Sequence, residues 1–202
     1  MTDDQPAAGT LYPLGARQLQ DQFDARRLAD RMAEVIMAEE LDERQRRFIE
    51  EQSFFHLATV DSDGFPDVSY KGGAPGFVRC PDSKTIHYPN YDGNGMYRSL
   101  GNIVDTGRVA LLFSRFGARA TRMRIHGTAI VRTDPEVVDT FPSGDAVVEI
   151  TVARIFPNCP RYLHDLEAGT LSPSAPRPGH EPPEPDWKDT DQFRHVLPGT
   201  DC

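Results

Sequence analysis

Cysteine is scarce in this 202-residue chain. Its three copies, Cys80, Cys159 and Cys202, form no C-x-x-C pair and stand at no metal-ligand spacing with histidine, and an odd number makes a poor disulfide framework. Nothing therefore points to a structural metal or a covalent scaffold, and a reducing cytoplasm is the expected compartment. Long apolar runs are also missing. No stretch approaches the roughly 20 residues that span a bilayer, and the opening MTDDQPAAGT has neither the basic start nor the apolar core of a signal peptide. The expectation is a soluble, cytoplasmic protein without a membrane partner. Positive charge is in deficit too, with 22 Lys and Arg against 31 Asp and Glu and a formal net charge of -9. Affinity for nucleic acid comes mainly from cations that neutralise phosphates, so nucleic acid is not an expected partner.

What is present is unevenly spread. Residues 57–132 carry ten Lys or Arg against six Asp and no Glu, so the middle of an acidic chain is locally positive, which suits a small anionic ligand. Residues 1–16 are rich in small residues, Pro and Gly and read as a loose arm. From Arg17 to about Gln52, Leu28, Met32, Val35 and Ile36 recur at the spacing of one helical stripe. That is an amphipathic helical region with a break expected near Glu40 to Asp42, compatible with one long helix or two shorter ones. At Phe54 the pattern becomes β: FFHLATV, the turn DSDG and FPDVSYK form a hairpin. Further strands are expected at Thr85 to Tyr88, Arg108 to Phe113, Thr121 to Val131 and Glu149 to Ile155, with a short helix from Met96 to Val104 and another starting near Pro160. We divide the chain into a helical N-terminal region (1–52), a barrel domain (53–168) and a Pro-rich acidic tail (169–202), of which Trp187, Phe193 and Val196 are the residues able to dock. Short strands separated by turns with an inserted helix suggest a mainly β barrel with helical decoration.

Three constellations carry chemistry. In DVSYK, period-two alternation puts Ser69 and Lys71 on one strand face, where they offer a hydroxyl and an ammonium to one ligand; a solvated lysine is the plain alternative. In NYDGNGMYRSLGNI, Gly93 and Gly95 free the backbone for close approach, a helix begins just after Met96, and Arg98 and Ser99 fall in its first turns. Helix-start amides favour anions, so the segment reads as a phosphate site, against a surface turn as the plain alternative. It lacks the lysine of a Walker loop and the acidic ligands of a calcium loop. In RMRIHG, Arg122, Arg124 and His126 alternate onto one face, which needs an anion, an acidic partner or water between them, or else faces solvent. His87, just before the Gly-rich loop, is a better ligand candidate than His56, which sits in an apolar strand and reads as a core or interface residue. A helix start at Pro160 would favour the thiolate of Cys159, with a structural role as the alternative. No hydrolytic nucleophile arrangement emerges.

In chain order these pieces resemble the pyridoxamine 5'-phosphate oxidase-like flavoproteins over roughly residues 50–160. The carriers are FFHLATVDSDGFPDVSYK, THYPN, RSLGNIVDTGRVALLF and RMRIHGTAIV; NIVDTGRVALLF is the most telling. DGNGMYRSLGNI and FPNCPRY look similar to a less characterised bacterial branch. The resemblance implies a six-stranded split β-barrel with a helical N-terminal region, dimeric, with FMN held between two subunits. It puts Lys71 in the place of the strand lysine that holds the flavin phosphate, matches Arg98 and Ser99 to an Arg-Lys pair after the next strand, and puts Arg122 where the oxidase has a glutamine that reaches the flavin. The candidate cofactor-binding set is completed by Tyr70, His87, Tyr88, Asn94, Gly95, Met96 and Arg124. Pro66 replaces the arginine that opens the oxidase's strand motif, Ser99 replaces the lysine of its helix pair, and the oxidase's C-terminal tryptophan and arginine segment has no counterpart. Those departures point away from pyridoxamine phosphate as substrate.

The function expected is that of an FMN-dependent oxidoreductase acting on a small molecule, with the redox chemistry belonging to the flavin and no catalytic side chain assigned. The alternatives are a flavin-binding or ligand-sensing protein without turnover, or a similar barrel using haem or a deazaflavin. Haem would need an axial histidine.

Overall fold

The computed structural model describes residues 11–200, which fall into two units, one formed by the described residues of 1–37 and 176–202 and the other by 38–175. The first joins α1 (Leu14–Gln22) and α2 (Arg26–Ile36) to the end of the chain. The break between these helices sits at Asp24, which takes a left-handed backbone with φ 49°, a conformation that a short polar side chain tolerates better than most. The tail is not structureless. Short 3-10 turns at Asp186–Asp189 and Arg194–Val196 bring Trp187 edge-on to the buried Phe193, ring centroids 5.5 Å apart. Arg31 of α2 donates to the Gln192 carbonyl at 3.2 Å.

The second unit begins with α3 (Glu43–Glu50), so the expected amphipathic run is three helices rather than one or two. Asp42 and Gln45 form a reciprocal capping box in which each side chain accepts from the other's backbone N–H, at 2.7 and 2.9 Å, and that arrangement fixes where the third helix starts. Six strands follow: β1 (Phe54–Val60), β2 (Pro66–Gly72), β3 (Thr85–Asn90), β4 (Arg108–Arg115), β5 (Thr121–Arg132) and β6 (Ala146–Asn158), with α4 (Arg98–Thr106) between β3 and β4 and the one-turn α5 (Pro135–Val138) between β5 and β6. They pair antiparallel in the order β2-β1-β4-β5-β6-β3, one mainly β curled sheet of half-barrel form, as the alternation predicts. Pro89 is tolerated because β3 is an edge strand, where a missing N–H breaks no ladder.

The inner face is apolar: Phe55 and Leu57 of β1, Leu111 and Phe113 of β4, Ile125 of β5 and Ile150 and Ile155 of β6 are almost wholly buried. Each such side chain contributes roughly 1.5–3 kcal/mol relative to exposure. The β5–β6 register shifts between His126 and Gly127. Gly127 is required there, since a Cβ would come within 2.3 Å of the Thr151 carbonyl oxygen. α4 ends at Gly107, φ 64°, whose N–H caps the Ile103 carbonyl at 2.9 Å.

Two local expectations fail. No helix forms at Pro160; the segment is a series of turns in which the Asp165 carboxylate accepts from the N–H groups of Glu167 and Ala168, at 3.1 and 3.0 Å, offering the backbone an alternative to helix. Residues 14–16, expected within a loose arm, already belong to α1; residues 1–10 and Cys202 lie outside the described residues. Among the described residues no helix is long and apolar enough to cross a membrane.

Candidate functional site

Strand β2 has two unlike faces. On the inner side Asp67, Ser69 and Lys71 sit opposite Thr59, Leu57 and Phe55 of β1, which are core residues. The three polar side chains thus continue the core face onto the sheet's edge, half-buried, where α4 covers them. On the other side Val68 and Tyr70 are 69% and 63% exposed. Tyr70 stacks on Phe54, centroids 5.3 Å apart, with His56 edge-on to both. His56 is therefore an exposed outer-face residue and not a core one.

Opposite Ser69 and Lys71 stands the start of α4. Its N-cap, Tyr97, adopts φ 48° and supplies no side-chain cap, so the first amides of the helix have no acceptor within it. Those amides and the helix dipole favour an anion. The Ser69 and Ser99 hydroxyls lie 3.1 Å apart, bridging strand to helix. Asn102, one turn on, donates to the buried Thr59 hydroxyl at 2.9 Å and fixes the helix against β1. The loop before the helix is tied down by Asp145, which accepts from Asn90 at 2.8 Å and from the Tyr97 hydroxyl at 3.2 Å. Within it the Asn94 side chain accepts from the Met96 N–H at 3.0 Å, and Gly95 takes φ 74°.

Strand, loop and helix enclose a groove of about 530 Å³, within the range of small-molecule sites. Of the expected residues, Ser69, Tyr70, Lys71, Asn94, Gly95, Met96, Arg98 and Ser99 line it. Burial holds the Lys71 ammonium below the usual lysine range, with Asp67 opposing that shift. No carboxylate comes within 4.0 Å of the Lys71 nitrogen among the described residues. Arg98 lies 4.0 Å from Asp67.

The other four expected residues are elsewhere. Tyr88 is a core residue, 0% exposed and edge-on to Phe55, and burial alone pushes its phenol upward. His87 lies 3.3 Å from a Glu149 oxygen that also accepts from Arg132 at 2.8 Å. Arg122 and Arg124 are on the outer face: Arg122 donates to the Cys159 carbonyl, and Arg124 lies 5.6 Å from the centre of the Phe156 ring. In register, Tyr70, His56, Leu112 and Arg124 form one row across β2, β1, β4 and β5. Neighbouring His126 has its imidazole pushed below the usual range by burial first and then by Arg124 and Arg154. Sequence reasoning missed Asp67, Phe77, Asn90, Tyr91, Asp92 and Tyr97 as groove walls. For Asp67 the signal was present, since the alternation that pairs Ser69 with Lys71 includes it.

The model of the pyridoxamine 5'-phosphate oxidase family matches residues 41–161, which span the whole sheet and α4. The chain belongs to that family. Among curated proteins none matches this pyridoxamine 5'-phosphate oxidase family member. Solved structures similar to it include a HupZ variant from Group A Streptococcus, 25% identical with TM-score 0.48 over 58% of this chain and 98% of that one. A candidate pyridoxamine 5'-phosphate oxidase from Lactobacillus delbrueckii is 27% identical with TM-score 0.48 over 59% and 95%. An FMN-binding protein from Syntrophomonas wolfei is 11% identical with TM-score 0.42 over 71% and 93%.

Proposed function

We propose that this family member binds FMN as a split-barrel homodimer and exchanges electrons between the flavin and a small molecule. The observation that carries the proposal is the half-buried Lys71 ammonium, with no carboxylate within 4.0 Å among the described residues, lining one groove with the uncapped start of α4 and with the Ser69 and Ser99 hydroxyls that bridge strand to helix. Lys71, Arg98, Ser69, Ser99 and the first amides of α4 would hold the phosphate through charge-assisted hydrogen bonds. When bound, the flavin supplies the hydride and electron chemistry, and the protein supplies binding and orientation. No histidine lines the groove among the described residues, so an axial haem ligand would have to come from outside it.

The dimer is supported by the sheet's outer face. The exposed Val68 and Tyr70, with the half-buried Phe54 stacked on Tyr70, form an apolar strip, and the Tyr70 row continues in register to Arg124, on the side of the sheet away from Lys71. A ligand in one copy's groove would meet the Arg122 and Arg124 of a second copy, not its own. Protein purified from the reducing compartment we expect for it should carry or take up FMN with a flavin absorption spectrum, sediment as a dimer, and bleach with a reduced nicotinamide under anaerobic conditions. Bound flavin that no physiological donor reduces would identify a binding protein without turnover, and failure to take up flavin would refute the proposal.

A further inference from the structure

Asp67 is out of character for a phosphate site. It shares the inner face of β2 with Ser69 and Lys71 and lines the same groove, so its carboxylate presents to any bound anion a charge of the same sign. It is not there to hold the strand together: among the described residues its carboxylate accepts no hydrogen bond, and its ion pair with Arg98 is long, at 4.0 Å. Its neighbour Thr59 is already satisfied by Asn102. With Asp92, it brings the charged side chains of the groove wall to two cations, Lys71 and Arg98, against two carboxylates. Any attraction for an anion then rests on which charges stand closest and on the helix amides. Asp67 is also the group that opposes the effect of burial on the Lys71 ammonium.

Building on the FMN reading, we propose that Asp67 is a resident competitor of the ligand phosphate: it shares the groove with Arg98 and Lys71 when no ligand is bound, and it weakens phosphate binding so that the flavin exchanges rather than staying permanently. Phosphate entry would replace one anionic partner of Arg98 by another. The penalty of keeping the displaced carboxylate nearby remains in the complex, because Asp67 is fixed to the strand.

The test is Asp67→Asn, which keeps shape and removes charge. FMN and riboflavin affinities would be measured by flavin fluorescence on the full chain, with thermal melts to verify folding. Two like charges several ångströms apart in a partly solvated groove are worth about a tenfold change in affinity. FMN should therefore bind about tenfold more tightly to the variant and leave more slowly, while riboflavin, which lacks the phosphate, changes less than twofold. Unchanged or weaker FMN binding would overturn the inference, as would an equal gain for riboflavin. Parent protein that takes up no FMN would overturn the flavin reading itself, which is a different result from FMN binding that ignores Asp67.

Discussion

Replacing Lys71 by Gln should move ligand affinity and unliganded stability in opposite directions. One charge-assisted hydrogen bond contributes about 1.5–3 kcal/mol, which is about 10- to 150-fold in affinity, so the Kd for FMN should rise by that factor. Riboflavin should be nearly unaffected. For the unliganded protein the sign reverses. Burial holds the Lys71 ammonium below its ordinary pKa, so near neutral pH the folded state carries a charge it would rather not bury, even with Asp67 nearby. Glutamine removes that cost, and the variant should unfold at an equal or higher urea concentration than the parent. The assay is paired: flavin titration by fluorescence, and urea unfolding without ligand. FMN affinity within threefold of the parent would refute the phosphate assignment, and a large loss of unliganded stability would show that Lys71 has a structural partner that its surroundings do not reveal.

Gly127→Ala should destabilise the sheet by at least about 2 kcal/mol, read as a lower urea midpoint, because a Cβ has the Thr151 carbonyl 2.3 Å away and backbone cannot swing aside. A variant as stable as the parent would show that the bulge yields. Val68→Glu puts charge on the exposed apolar strip of β2 at a residue outside the groove; sedimentation should show monomer, with FMN binding lost alongside, and a monomer that still holds FMN would contradict a site shared between copies. His126 has a depressed folded pKa below its ordinary 6.5. The unfolded chain therefore binds the proton first as pH falls, so this group's contribution is fully present above about 6.5 and is lost as pH drops through the depressed value. Urea midpoints at pH 7.5 and 5.5 should fall less for His126→Gln than for the parent, and equal falls would remove His126 from the account.

The strands were legible because their pattern is set by which face is buried. FFHLATV alternates into the core as Phe55 and Leu57, and the polar triad of β2 follows from the same period. The groove was legible in the glycines and the helix start of NYDGNG and RSLGNI. What was not legible depends on tertiary pairing. Tyr88 reads like Tyr70 in sequence, yet β3 lies at the far edge of the sheet beside β6, with Tyr88 on the core side, while Tyr70 faces outward. Nothing local separates the two. Arg122 and Arg124 alternate correctly, but alternation alone does not say that their face is the one turned away from Lys71. The helix expected at Pro160 failed through the Asp165 side chain, a competition that helical spacing does not register.

The turn between β1 and β2 consequently bears on more than the hairpin. The Asp61 carboxylate accepts from the N–H groups of Asp63 and Phe65, at 3.1 and 2.9 Å, and so sets which residue of β2 meets which residue of β1. A slip of one residue would exchange the two faces of the strand. The Val68 and Tyr70 side chains would turn to the inner face of the sheet and Ser69 and Lys71 would turn out to solvent. Ligand chemistry and the contact surface for a second copy are thus written on alternate letters of a single seven-residue word, and a loop remote from both keeps the reading frame.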